Sequence, residues 1–395
     1  MYSSKTLIAA QLAALMLVAP STVAAENPFE VLPSEAVSIE RSNVSDCAHC
    51  EAVSLTNGGT GDTVVRVRID PFPETAPNDR SLGSWIYTYQ RQLVRIDGGV
   101  VPTNDATPVA LTGIASQRRF ELRALHLDGE PVSYTPGQWS IDIPISGGAN
   151  RNLLLYAGPA RVDAIPEPVA DFHYWQLWWP LAALCRAVER FMIAALPWLS
   201  SSGVVLLIVA VVRLLTFPIN RWSIRSQNAF EAVQTKIAPE VADIKTRLRG
   251  GDQSEAILAL YQANGMNPLS GLKGSVGLLV QIPILIAMFN VASDSAALSG
   301  QPMLWVDDAA QPEHSFAWGA DIPLLGGYFN LIALALAAFL IGSEVFKKPR
   351  STGSLIFAIV VGLLLYSFPA FLVTYWFLIS IAQKIEQVLA SSGGD

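Results

Sequence analysis

Charge is the scarcest feature of this chain. Only 15% of its 395 residues are Asp, Glu, Lys or Arg, 51% are hydrophobic, and the mean hydropathy is +0.37. That composition is too apolar for an ordinary soluble protein and points to the membrane class. Cysteine is nearly absent, at three residues. Cys47 and Cys50 form CAHC, but no second pair and no His spacing complete a zinc site, and no His follows Cys50 for haem attachment. A local disulfide in an oxidising compartment is expected there, and Cys185, alone on an apolar helix, is expected to pack. The five candidate spans contain no His, no Cys and no carboxylate pair, and the chain has no HExxH, GxSxG or P-loop. ATP hydrolysis is excluded, no metal or cofactor is implied, and no enzyme chemistry is expected. The net charge of −7 gives no reason to expect nucleic acid as a direct partner.

What is present is unevenly spread. Residues 1–25 read as a secretory signal peptide: Lys5, an apolar core from Leu7 to Val18, and small residues at Val23 and Ala25 for cleavage. Residues 26–165 carry short runs of period two, TVVRVRID, SWIYTYQRQLVRID, RRFELRALHLDG and QWSIDIPI, separated by DGG, LDGE, TPGQ and SGGAN turns. They predict an exported all-β, sandwich-like domain with no catalytic constellation, His126 being a surface or half-buried strand residue. Residues 166–200 change texture. Phe172 to Leu199 is aromatic at both ends with Arg186, Glu189 and Arg190 in the middle, which predicts an amphipathic helix lying at the membrane surface.

Residues 201–390 read as a core of five transmembrane helices: Gly203–Ile219, Gly274–Ala292, Tyr328–Glu344, Ser354–Phe368 and Ala370–Val388. Between the first two spans, residues 220–273 hold seven positive residues, Arg221, Arg225, Lys236, Lys245, Arg247, Arg249 and Lys273. The loop 293–327 holds five acids and no Lys or Arg, and FKKPRSTG again carries three positive residues. The positive-inside rule puts the basic loops and the C-terminus in the cytoplasm and the acidic loop outside. Val233, Ile237, Val241, Ile244 and Leu248 recur every three or four residues, as do Ile257, Leu260 and Tyr261. They predict a cytoplasmic helical hairpin with Gly250-Gly251 at its turn.

The odd residue is Arg213, in the middle of the first span. An Arg there costs about 2.5–3.5 kcal/mol, against about 4–7 kcal/mol from the span's Val, Leu, Ile and Phe. Such a charge faces a bundle interior or a wet cavity. Glu344, near the end of its own span, is the one carboxylate considered as a partner, and it is not level with Arg213. A solvated cavity open to the cytoplasm is therefore expected, with Gln281, Asn290, Ser367, Thr374, Tyr375 and Gln383 as polar lining. A lone cation attracts anions but does not act as acid and base at neutral pH.

VVRLLTFPINRWSIRSQNAFEAVQTKIAPEVADIKTRL, ALYQANGMNPLSG and LLVQIPILIAMFNV, in that order, resemble the YidC family of membrane protein insertases. LLLYSFPAFLVTYWFLISIAQKIEQ resembles its closing hairpin, and YAGPARVDAI with YWQLWWPLAAL resembles its junction to the interfacial helix. The resemblance covers about residues 155–388. It implies a non-enzymatic insertase and chaperone of a bacterial inner membrane, with a hydrophilic groove centred on Arg213. It further implies a slide for the client's transmembrane segment, for which the matching positions are Gln281, Ile282, Pro283, Ile286, Met288, Phe289, Tyr366, Phe368, Phe371, Tyr375 and Trp376. The hairpin, with Arg221, Arg225, Lys236, Lys245, Arg247 and Arg249, would receive clients. Newly made membrane proteins and the bilayer are the implied partners, with the Sec translocon beside them. The ribosome is a weaker one, because the tail IEQVLASSGGD lacks the family's basic extension. The exported domain is shorter than in such members, and the first helix looks cleavable where theirs is an anchor. Two rivals are an anion carrier using Arg213, against which stands the lack of internal repeats, and a structural assembly factor of the Sec translocon.

Overall fold

The computed structural model describes residues 28–32, 36–69, 81–88, 93–96, 109–134, 140–265, 276–322, 325–346 and 352–392. The expected signal peptide, the NPL segment and the basic KKPR stretch lie outside these residues. The chain divides into two compact units, Met1–Arg118 with Leu122–Gly158, and Arg119–Glu121 with Pro159–Asp395.

The first unit is all-β. Its strands are β1 Phe29–Leu32, β2 Val37–Asn43, β3 Cys50–Asn57, β4 Thr63–Ile69, β5 Ser81–Thr88, β6 Leu93–Ile96, β7 Val109–Arg118, β8 Glu121–Leu127, β9 Val132–Tyr134, β10 Ser140–Ile145 and β11 Asn150–Pro159. One sheet runs β1-β4-β10, and the other β2-β3-β11-β8-β7-β5-β6, with β9 beside β7. Alternation decides which side chains go in. Val65, Val67 and Ile69 of β4 share one buried cluster with Ile141, Ile143 and Ile145 of β10 and with Val53, Leu55, Leu153 and Leu155 of the other sheet. Arg66 and Asp142, on the outward face, form a two-point pair at 2.6 and 2.8 Å. SWIYTYQRQLVRID is two strands, β5 and β6, paired antiparallel. Cys47 and Cys50 are disulfide-bonded across a Cα separation of 5.3 Å, and His126 is half-buried as expected.

The second unit carries seven α-helices among the described residues: α1 Trp179–Ala195, α2 Ser201–Arg247, α3 Gly251–Ala263, α4 Val276–Asp294, α5 Leu331–Val345, α6 Thr352–Leu365 and α7 Ala370–Ser392. A short hairpin, β12 Phe316–Ile322 with β13 Gly326–Phe329, lies between α4 and α5. Gly203–Ile219 and Ala370–Val388 lie within α2 and α7, and α4 carries the described part of Gly274–Ala292; Tyr328 and Phe329 of the third expected span belong to β13 instead, and α6 ends at Leu365, three residues before the expected Phe368. By length and composition α2 is long and apolar enough to cross a membrane, and Leu279–Asp294, Leu331–Val345 and Leu355–Leu365 are shorter apolar stretches.

Two expectations need correction. The aromatic stretch from Phe172 does not enter a helix at once: Glu167–Phe172 is 3-10, Tyr174 sits at φ 62°, and α1 starts at Trp179 with Pro180 in its first turn. The first span and the first arm of the hairpin, read as separate helices, are one helix of 47 residues that runs through Pro218 and Pro239. Side chains bridge the turn that proline weakens: Thr216 Oγ1 donates to Val212 O at 2.8 Å, and Asn220 Nδ2 donates to Thr216 Oγ1 at 3.1 Å. Between α2 and α3 Gly250 turns the chain at φ 67°, the Phe230 and Tyr261 rings stack at 6.3 Å, and Ile237 is buried.

α1 buries Ala182, Cys185, Glu189, Met192 and Ala195, one face of a helix. Glu189 is enclosed because four groups meet it. Ser295 Oγ donates at 2.6 Å, Tyr174 OH at 2.9 Å and Val162 N at 3.3 Å, and His173 Nε2 lies 3.1 Å away. Burial first, then the Glu189 charge, raises the Tyr174 phenol well above its ordinary value, so it stays a donor.

Candidate functional site: a half-satisfied arginine on a polar helix face

The helix bundle is packed at one end and open at the other. At the end bearing residues 295–330, Val204, Val205, Ile208, Ala287, Met288, Val291, Ile332, Leu336, Phe371 and Tyr375 form one buried core. The ends of the helices are tied there. Ala370 N donates to Gln311 O and Phe371 N to Ala309 O; Tyr366 OH accepts from Asn330 N and donates to Tyr328 O. Glu313 accepts from Trp305 Nε1 at 2.6 Å and from Ile332 N at 2.5 Å. Toward the other end Leu214, Leu215, Leu279, Ile282, Ile356, Phe357 and Ile385 are all exposed apolar side chains. Arg213 lies one turn past Val209, where the close packing stops.

Arg213 begins a ladder. Arg213, Thr216, Asn220 and Ser223 are spaced by three, four and three residues, so they share one face of α2. Thr216, Asn220 and Ser223 are all buried. At the far end of the ladder α4 approaches closely: Gly277 N donates to Ser223 Oγ at 3.3 Å, and a Cβ on Gly277 would lie 3.0 Å from Asn220 Oδ1. At the near end α7 approaches. Arg213 Nη2 donates to Ile379 O, and Nη1 lies 3.4 Å from Glu386 Oε2. One turn before Ile379, Tyr375 OH accepts from Gln281 Nε2 of α4 at 3.1 Å. Three helices thus meet along one polar seam.

The arginine is only half satisfied. A guanidinium has five N–H donors. Here its Nε is enclosed with no hydrogen-bond partner in the structure. Its charge partner corrects the expectation of no level carboxylate: it is Glu386, not Glu344. Glu344, on α5, has an enclosed Oε2 with no hydrogen-bond partner. Glu386 gives little sequence signal, because it falls in the last turn of the expected span Ala370–Val388, and α7 continues to Ser392. Thr216, Asn220 and Ser223 were missed because single hydroxyls and amides in apolar helices are weak signals. Their spacing from Arg213 was the available clue.

The expected slide residues separate. Ile282, Pro283 and Ile286 are exposed on α4. Phe289 and Phe368 are partly buried with ring centroids 5.2 Å apart, and Trp376 is partly buried. Met288, Tyr366, Phe371 and Tyr375 are interior and present no surface to a client. Their reason is packing: they build the tied end of the bundle. Sequence reasoning also missed an apolar cavity of about 490 Å³ between α2, α5 and α7, lined by Val205, Leu206, Ile332, Ala335, Phe377 and Leu378 among others. The hairpin cations Arg221, Arg225, Lys236, Lys245, Arg247 and Arg249 are all exposed.

Residues 197–393 match the family model of the 60Kd inner membrane protein. Curated relatives that match are membrane protein insertases YidC. That of Chlamydia trachomatis is 28% identical over 294 residues, 65% of this chain and 36% of the relative. That of Chlamydia muridarum is 27% identical over 359 residues, 81% of this chain and 43% of the relative. The chain belongs to the YidC family of membrane protein insertases. It spans less than half the length of those two chlamydial relatives. A YidC relative from Clostridium perfringens aligns over 188 residues at 27% identity, 46% of this chain and 74% of the relative. A solved structure of an active YidC insertase with its first transmembrane domain resolved covers 91% of this chain and 79% of that one at 16% identity, with a TM-score of 0.38. The family-model match, residues 197–393, contains the whole polar seam, from Arg213 through Gln281 and Tyr375 to Glu386, and none of the β unit.

Proposed function

We propose that this chain is a membrane protein insertase and chaperone of a bacterial inner membrane, working without enzyme chemistry or cofactor. The observation that carries the reading is the half-satisfied Arg213, at the junction of a packed bundle end and an open one. α2, α4, α5, α6 and α7 are the five spans. The acidic segment between α4 and α5 and the β unit face outward, and the basic hairpin of α2 and α3 faces the cytoplasm, as the distribution of Lys and Arg favours. The face of α2 at Arg213 then borders a wet groove open to the cytoplasm and closed outside, with Asn220 and Ser223 packed against α4. A client's hydrophilic flank lodges there, attracted to Arg213, while its apolar segment passes over Ile282, Pro283 and Ile286. The client gains free energy by moving from water to lipid. The groove lowers the barrier by keeping the polar flank solvated half-way across, since an unsatisfied polar group in hydrocarbon costs several kcal/mol. Exposed hairpin cations make first contact with newly made chains.

The test has two arms. Cells depleted of the protein are pulse-labelled and the insertion of small membrane proteins is followed; normal insertion would end the proposal. Separately, a cysteine at Ser299 is expected to react with an impermeant maleimide from outside and one at Ser254 is not. Background is low, because Cys185 is buried and Cys47 and Cys50 are bonded to each other. Reversed labelling would turn the groove to the wrong side.

A further inference from the structure

Glu386 is unused in the reading above, and its contact with Arg213 is long and single. Among the described residues, exposed Arg41 also meets Glu51 through one Nη, at 3.2 and 3.3 Å, but the other three exposed arginine pairs are two-pointed and short. Arg66 holds Asp142 at 2.6 and 2.8 Å, Arg161 holds Asp163 at 2.6 and 2.7 Å, and Arg247 holds Asp243 at 2.8 and 2.7 Å. Arg213 meets Glu386 at one point only, at 3.4 Å, although both side chains are shielded, 11% and 19% exposed. A planar fork that evolves as a fixed strut uses both its teeth. This one spends a single Nη on the carboxylate, gives the other to a backbone carbonyl, and leaves Nε enclosed without a partner. The pair is shielded enough for charge to count and bonded loosely enough to exchange.

We infer that Glu386 is an internal stand-in for the client's carboxylate. In the resting protein it occupies the guanidinium from the far end of α7. An acidic residue on a client flank replaces it and meets the donors that Glu386 leaves free. Glu386 then swings toward the open end, where neighbouring Lys384 and Ile385 are already exposed. The residue therefore sets selectivity: it screens Arg213 from weakly acidic flanks, and it softens the repulsion that a bare arginine exerts on basic ones. This inference rests on the insertase reading.

The experiment reconstitutes the full-length protein in vesicles and measures insertion of three versions of one client, with acidic, neutral or basic translocated tails. Glu386→Gln keeps the shape and removes the charge. It is expected to raise acidic-tail insertion by at least about fivefold, the low end of ordinary coupling between competing ligands, to lower basic-tail insertion, and to leave the neutral tail unchanged. Glu386→Asp, which keeps the charge, is expected to stay close to wild type in tail preference. Equal insertion of all three tails at wild-type rates by Glu386→Gln would overturn the selectivity role. An equal fall for all three, with loss of folded protein, would make the pair a strut and overturn it too. If the wild-type protein inserts no client, the insertase reading fails, a result distinct from either.

Discussion

Glu189 and Glu386 are both carboxylates enclosed by helices, and the protein treats them in opposite ways. Glu189 is fully buried and four groups converge on it, from the chain before α1, from Val162 and from the end of α4. Glu386 is partly exposed and has one long contact. A buried charge whose lone pairs are all met is part of the scaffold; removing it strands every donor at once. A charge met at one point, opposite a cation with a donor to spare, is part of something that changes partners. Satisfaction, more than burial, separates structure from function here.

The largest expected effect breaks the scaffold half of that contrast. Glu189→Ala is expected to destabilise the helical unit by about 3–5 kcal/mol, as removing one member of a buried polar cluster does, read as thermal unfolding in detergent. Glu189→Gln, which keeps an acceptor, should lose less. A tolerated alanine would erase the distinction between the two carboxylates.

Next comes Arg213→Ala. It is expected to lower acidic-tail insertion about tenfold or more, the size of a lost charge contact of about 1.4 kcal/mol, and to cost less stability than Glu189→Ala. Arg213→Lys keeps charge and hydration and should retain much of the activity, though not the fork. A collapse of stability equal to that of Glu189→Ala would put Arg213 in the scaffold as well.

Smaller still is Thr216→Val. It removes the bond to Val212 O and orphans Asn220 Nδ2, so a loss of about 1–2 kcal/mol is expected, with Thr216→Ser close to wild type. Calorimetry of the three proteins checks it.

The smallest effect is at the exposed Arg66–Asp142 pair, which calibrates the others. The Arg66 guanidinium, by hydrogen bond and charge, holds the Asp142 carboxyl below its ordinary value. Its contribution is therefore present above the unfolded value of about 3.9 and fades as pH falls through the lower folded one. Wild type should exceed Asp142→Asn slightly near neutrality, and the two melting curves should merge in acid. A gap that widens in acid would reverse the sign.

Much of the architecture was legible in the sequence for simple reasons. Period-two runs such as TVVRVRID became β4 because one sheet face must be buried, and the apolar runs became α2 and α4 through α7 because backbone polar groups must be met internally. The rest depended on contacts between residues far apart in sequence. Glu189 looked like one of three charges in a surface helix, because its partners come from Val162, His173, Tyr174 and Ser295. Glu386 lies 173 positions from Arg213. Met288, Tyr366 and Phe371 carried the right chemistry for a slide, but apolar character alone does not say which face is free. The continuity of α2 through Pro218 was not legible, because the side-chain bonds around Thr216 are invisible before the helix is built.

The unbroken run of α2 has a mechanical consequence. A 47-residue α-helix is about 70 Å long, more than twice the roughly 30 Å of a hydrocarbon core, so the hairpin rides on a lever whose short arm carries Arg213. Proline is where such a lever bends most easily, and Pro218 stands five residues from that arginine. From Pro218 to Arg247 the long arm is about 44 Å, and a flexion of about 10° there sweeps the hairpin tip through roughly 8 Å while turning the polar face by only a small angle. Displacement of the tip is thereby geared down to a fine adjustment of the polar face.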